Sequence, residues 1–106
     1  MQAVDDLDRA LDESIEMVKR MKQRIDELRD AGVEGRPLRE IVPQEQTPLL
    51  VQLITETTNL LQGYGNRVRR TEARALHREG MTMDEIARLF GVTRQRVSAL
   101  LRDFEP

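Results

Sequence analysis

A chain of 106 residues, 39% hydrophobic, 34% charged and only 3% aromatic, allows one domain, or one small domain with a helical extension, and suits amphipathic helices around a modest core rather than a deep pocket. The absence of cysteine excludes disulfides and thiolate metal sites, and no run approaches the roughly 18 apolar residues of a membrane span. The net charge of −2 conceals an asymmetry: residues 1–65 carry eight bases against thirteen acids, residues 66–102 nine arginines against four acids, so a polyanionic partner is expected at the basic end alone.

Residues 3–30 read as one long helix. Val4, Leu7, Leu11, Ser14, Val18, Met21, Ile25 and Leu28 recur at alternating three- and four-residue steps, the seam of a coiled coil with Ser14 as its one polar position. Ile15 and Met17 widen the stripe. At about 1.5 Å per residue this rod is roughly 40 Å long and needs a partner helix, from this chain or from a second one. Acids come early (Asp5, Asp6, Asp8, Asp12, Glu13) and bases later (Lys19, Arg20, Lys22, Arg24), which complements the helix dipole. Two such helices paired antiparallel also set acidic ends against basic ones. The helix is expected to end near Ala31–Gly32. Residues 32–47 read as a loop broken by Gly32, Gly35, Pro37 and Pro43, in which Leu38, Ile41 and Val42 form one helical turn packed back over the core.

Thr47-Pro48 supplies a capping hydroxyl followed by a proline for the first helical position. Leu49, Leu50, Leu53, Ile54, Thr57, Leu60 and Leu61 then line a second long helix, the natural partner of the first. Gly63-Tyr64-Gly65 favours a kink or break, because each glycine costs a helix interior about 1 kcal/mol relative to alanine, although Leu61, Tyr64 and Val68 keep the helical spacing of a continuous rod. Asn66 is placed to cap a new helix over residues 66–79, with Val68, Ala75 and Leu76 inward and Gly80 ending it.

The next two helices are short. Thr82 and Glu85 have the spacing of a capping box, and Ile86, Leu89 and Phe90 recur on one face. Gly91 marks the turn, Thr93 caps a following helix, and Val97, Leu100 and Leu101 form its buried stripe. Ala87 is the small residue that lets the two helices cross. Met81 and Met83 fill gaps in this core, and Phe104 is expected to pack under Leu101. The pattern is a helix-turn-helix. Its run Ile86-Ala87-Arg88-Leu89-Phe90-Gly91-Val92-Thr93-Arg94-Gln95-Arg96-Val97 resembles the DNA-reading helix-turn-helix of bacterial sigma factors in their −35-binding region, and small actinobacterial regulators have a similar C-terminal unit. The likeness covers the last third of the chain and leaves residues 1–65 outside it. Ser98 and Ala99 depart from the sigma pattern, in which longer polar residues are usual.

That resemblance implies DNA contact from the second helix of the pair, whose first residues face base edges in the major groove. The candidates are Thr93, Arg94, Gln95, Arg96, Ser98 and Ala99, with Arg102 reaching the backbone from the far end. Arg94 and Arg96 stand in a first helical turn, where positive charge opposes the dipole and a stability-driven sequence places acids. Arginine pairs with guanine and glutamine with adenine, so a nucleic acid accounts for the pattern. Arg69, Arg70 and Arg88 are candidate phosphate contacts; a solvated charged surface is the plain alternative. His77, the only histidine, has no cysteine or carboxylate set around it in sequence and reads as a surface residue. No phosphate-binding glycine loop, nucleophile arrangement or metal-ligand spacing is present, so no enzyme and no cofactor are expected.

The reading is therefore an all-α protein with an N-terminal helical hairpin or coiled coil for association (residues 1–62) and a C-terminal helix-turn-helix three-helix unit (residues 63–106). Expected is a sequence-specific, double-stranded-DNA-binding transcriptional regulator or nucleoid-associated protein. A homodimer through the N-terminal helices would address half-sites about 34 Å, or a multiple, apart. The location expected is the cytoplasm and nucleoid, with no membrane involvement. Two alternatives stay open: an adaptor docking RNA polymerase or a toxin partner through the three-helix unit, and a monomer whose two long helices satisfy one another.

Overall fold

The computed structural model describes residues 1–102 of the chain. It is all-α: α1 (Gln2–Val33), α2 (Leu38–Ile41), a 3-10 turn (Val42–Gln44), α3 (Leu50–Arg78), α4 (Met83–Phe90) and α5 (Arg94–Arg102). Its radius of gyration of 19.6 Å and extents of 61 × 25 × 23 Å make it a rod. A compact chain of this length has a radius near ~13 Å.

α1 and α3 form an antiparallel hairpin. Arg67 of α3 donates to Asp6 near the start of α1 at 2.9 Å, and Thr57 Oγ1 lies 3.0 Å from Met17 Sδ, so sequence positions rise along one helix as they fall along the other. The seam differs from the expected one. Leu7, Ser14, Met21 and Leu28 do turn towards α3, but the other half of the seam is Ala3, Ala10, Met17 and Arg24, each one residue before the side chain predicted to fill it, with Ala31 continuing the row. Val4, Leu11, Val18 and Ile25 stay 37–44% exposed. Small residues let the two backbones approach, so Ala3, Ala10 and Ala31 are buried although they contribute little apolar surface of their own. Ser14 and Thr57 are buried with their hydroxyls donating to the carbonyls of Ala10 (2.8 Å) and Leu53 (2.7 Å), which removes the cost of an unpaired polar group. Arg24 is only 4% exposed, with one terminal nitrogen 3.9 Å from Glu27.

The connection follows the expectation in part. Ile41 packs back and is buried, whereas Leu38 remains 67% exposed. α3 starts at Leu50 rather than at Thr47-Pro48, because its free N–H groups find other acceptors: Gln52 Oε1 receives the Leu49 N–H at 2.7 Å and Glu45 Oε1 the Leu50 N–H at 2.9 Å. α3 also runs uninterrupted through Gly63 and Gly65, where a kink or break was predicted. Packing along α1 holds the helix across a weak stretch, and the division at residue 62/63 falls inside a single helix.

Nothing lies within 4 Å of a Cβ built on Gly63. Gly63→Ala is therefore expected to stabilise the chain by about 0.5–1 kcal/mol, the helix-propensity difference. Urea denaturation measures it; a destabilised variant would mean that the helix does not persist through this point.

The C-terminal unit has its own small core of Ala73, Ile86, Ala87, Val97 and Leu100, with Leu76, Met81, Met83, Phe90 and Leu101 around it. Gly80 (φ +107) ends α3 and Gly91 (φ +69) turns the chain between α4 and α5, both in the region that favours glycine. Leu89, expected in the core, is 64% exposed. Ile86, Ala87 and Phe90 hold the inner side of α4, and Leu89 lies roughly a quarter turn away. The contact expected from Phe104 lies outside the described residues.

Candidate nucleic-acid interface

Two local devices fix the pair α4–α5. At the start of α4, Thr82 Oγ1 accepts the Glu85 N–H at 3.1 Å and Glu85 Oε1 accepts the Thr82 N–H at 2.9 Å, the reciprocal box expected from the spacing. Hydrogen bonds from Thr82, its backbone N–H first, hold the Glu85 carboxyl below the usual range, and Arg88 adds to this. At the start of α5, Thr93 Oγ1 accepts the Arg96 N–H at 3.1 Å. Val97 and Leu100 then clamp α5 into the core. At 100° per residue, that clamp turns Gln95, Ala99 and Arg102 outward with Ser98 beside them.

The predicted residues do not form one cluster. Gln95 and Arg102 are exposed, and Ser98 and Ala99 are half-buried. Arg102 lies 3.4 Å from Ser98 Oγ. Arg94 swings towards α4, its Nε 3.7 Å from Asp84, and with both side chains more than 60% exposed this ion pair contributes little. Arg96 swings the other way, to α3. There its terminal nitrogen donates to Asn66 Oδ1 at 3.1 Å, and Arg69 donates to the same oxygen at 2.7 Å. Two guanidinium groups thus meet on one neutral amide, and among the described residues no carboxylate pairs with either. Asn66 was read from the sequence as a helix cap; its link to Arg96 spans 30 residues and has no sequence signal.

Arg69 and Arg96 border a shallow hollow with Glu72, Phe90, Val92 and Leu100. Arg70, one residue on, lines a different groove with Met1, Gln2 and Arg74. Arg88 is exposed on α4. Arg67 also belongs to the hairpin: it sits 5.6 Å from the Tyr64 ring centre as well as on Asp6. The Asp6 carboxyl is held below the usual range by Gln2 first, then by Arg67 and Arg9. His77 is exposed, with Nδ1 3.1 Å from the Met81 carbonyl oxygen. Among the described residues, no group of three or more His, Cys, Asp or Glu side chains is placed to hold a metal ion, and no helix is long and apolar enough to cross a membrane.

No protein-family model, curated protein or solved structure matches this chain.

Proposed function

We propose that the chain is a sequence-specific, double-stranded-DNA-binding regulator, acting as a homodimer, that reads the major groove with α5. The observation carrying this reading is the pair Arg69 and Arg96 drawn together on Asn66 beside the reading helix. Holding two cations on one neutral amide, with Glu72 in the same hollow but ion-paired to neither, costs stability, and a DNA phosphate at that place offsets the cost. In this arrangement Gln95 and Arg102 face base edges and the nearby backbone, Ser98 and Ala99 leave room for a thymine methyl or a water, and Arg69 and Arg96 clamp a phosphate. Arg94 has the choice of Asp84 or a base. The resemblance of Ile86–Val97 to the −35-reading unit of sigma factors supports the same use of α5.

Fluorescence anisotropy of the full chain on duplex DNA across salt concentrations tests this. Counterion release makes log K fall against log salt by about 0.9 per phosphate neutralised, so a dimer placing two or three arginines per subunit on phosphates gives a slope of about −4 to −5. On a sequence recovered by selection, Gln95→Ala is expected to lose about 1–3 kcal/mol, with a smaller loss on random duplex. A second reading, docking on RNA polymerase or another protein, is favoured by Leu89 (64% exposed) and Val92 (37%) beside the α4–α5 turn. A full chain showing no salt-dependent binding to any duplex makes that reading the better one.

A further inference from the structure

The long hairpin leaves one apolar face without a partner. Val4, Leu11, Val18 and Ile25 repeat every seven residues and are 37–44% exposed, and Ile15, at 53%, lies in their midst. At about 1.5 Å per residue, the row runs roughly 32 Å along α1. Each of the four follows a seam residue by one position, as Ile54 and Leu61 of α3 follow Leu53 and Leu60. A one-residue step turns both antiparallel helices towards the same side of the hairpin, so these α3 residues extend the same face. Ile54 is 48% exposed. Two charges interrupt the row on α1, Asp8 and Lys22, and among the described residues neither has an ion-pair partner. They stand seven residues to either side of Ile15.

That symmetry identifies the occupant. We propose that a second copy of this chain covers the face, with α1 packed antiparallel on the partner's α1 about a two-fold axis at Ile15. Val4 then meets the partner's Ile25, Leu11 meets the partner's Val18, and Asp8 meets the partner's Lys22, each contact occurring twice as an isologous interface requires. The same axis brings α3 against its counterpart and closes a four-helix bundle. Other arrangements leave the charges unmatched. A parallel pairing sets Asp8 against Asp8 and Lys22 against Lys22. Laying α1 on the partner's α3 leaves Lys22 without a counter-charge, since the only charged residue between Gln46 and Asn66 is Glu56, which lines the opposite groove with Met17 and Arg67. Because Arg67 of α3 lies beside Asp6, the axis sends the two C-terminal units to opposite ends of the bundle. This pairing specifies the homodimer of the proposed function, and it is measured without DNA, so either reading can fail while the other stands.

The chain has no cysteine, which makes cross-linking clean. D8C protein mixed with K22C protein should form an interchain disulfide readily under oxidation, while the second Asp8–Lys22 pair of that dimer stays intact. D8C alone should not cross-link, because antiparallel helices hold the two positions about 21 Å apart, beyond disulfide reach. In sedimentation equilibrium, Asp8→Lys should weaken the wild-type dimer tenfold or more, and the doubly swapped D8K/K22D should recover it. Circular dichroism of each variant should match wild type, as both side chains are exposed. Ready cross-linking of D8C by itself, failure of the mixture to cross-link, or a wild type that remains monomeric at high micromolar concentration would each overturn the proposal.

Discussion

Asn66→Asp is expected to weaken binding to every duplex tenfold or more and to flatten its salt dependence, while leaving the fold as stable as before or slightly more so. The amide oxygen of Asn66 already receives Arg69 at 2.7 Å and Arg96 at 3.1 Å, with the Gln62 amide 3.5 Å away. Aspartate keeps the geometry and the size and puts a negative charge in direct contact with both guanidinium groups. Within the folded chain the change completes two ion pairs at a partly exposed position, a gain of up to about 1 kcal/mol. Asparagine and aspartate have similar helix propensities, so the backbone does not oppose it. Towards DNA the effect reverses, because both guanidinium groups are now held by a carboxylate that also repels the phosphate. Losing one or two phosphate contacts per subunit lowers the slope magnitude of a dimer by about 2 to 4. Anisotropy across salt and urea denaturation of the same preparation read both quantities. Stability that is gained together with undiminished DNA binding would show that the cluster lies off the DNA path.

Such a trade separates function from architecture, and it also marks where sequence reasoning stops. Features decided within a few residues were legible: the Thr82–Glu85 box, the Gly91 turn, the Thr93 cap, and the Val97–Leu100 stripe that clamps α5. Each is a short-range satisfaction of backbone groups or a one-helix periodicity. The seam of α1 was legible only by half, because two overlapping apolar rows run along this helix. A hydrophobic periodicity favours the larger side chains Val4, Leu11, Val18 and Ile25, whereas the neighbour α3 selects Ala3 and Ala10 for close approach. The uninterrupted α3 was misjudged for a related reason. Two glycines weaken an isolated helix, but contact along α1 outweighs a local deficit of about 1 kcal/mol each. Leu89 failed on angle, since α4 is only eight residues long and its inner side has room for Ile86, Ala87 and Phe90. The junction of Asn66 with Arg96 depends on how α5 lies across α3, which no local pattern encodes.

Ile86→Ala is expected to produce the largest loss of stability, about 2–5 kcal/mol, and to confine it to the C-terminal unit. Ile86 is 0% exposed, and two of the four other buried residues in its cluster are alanines, so any collapse of the cavity falls to the partly buried Met81, Met83 and their neighbours at its edge. Ala73 and Ala87 cannot extend, and Val97 is itself fully buried. The hairpin draws on a different set, Ala10, Ser14, Leu53 and Thr57, which has no member in that cluster. Loss should therefore appear as sub-global opening rather than as a uniform decrease. In native-state hydrogen exchange, amides of α4 and α5 should exchange about 30-fold faster or more, corresponding to roughly 2 kcal/mol, while those in the middle of α1 keep their protection. Leu53→Ala, also at a fully buried position, should give the converse pattern. DNA binding by Ile86→Ala should fall with the fraction of opened unit, since α5 presents Gln95 outward and Arg96 to Asn66 only while Val97 and Leu100 stay clamped. Equal acceleration throughout the chain would mean instead that α3, running unbroken from Leu50 to Arg78, ties hairpin and C-terminal unit into one cooperative block.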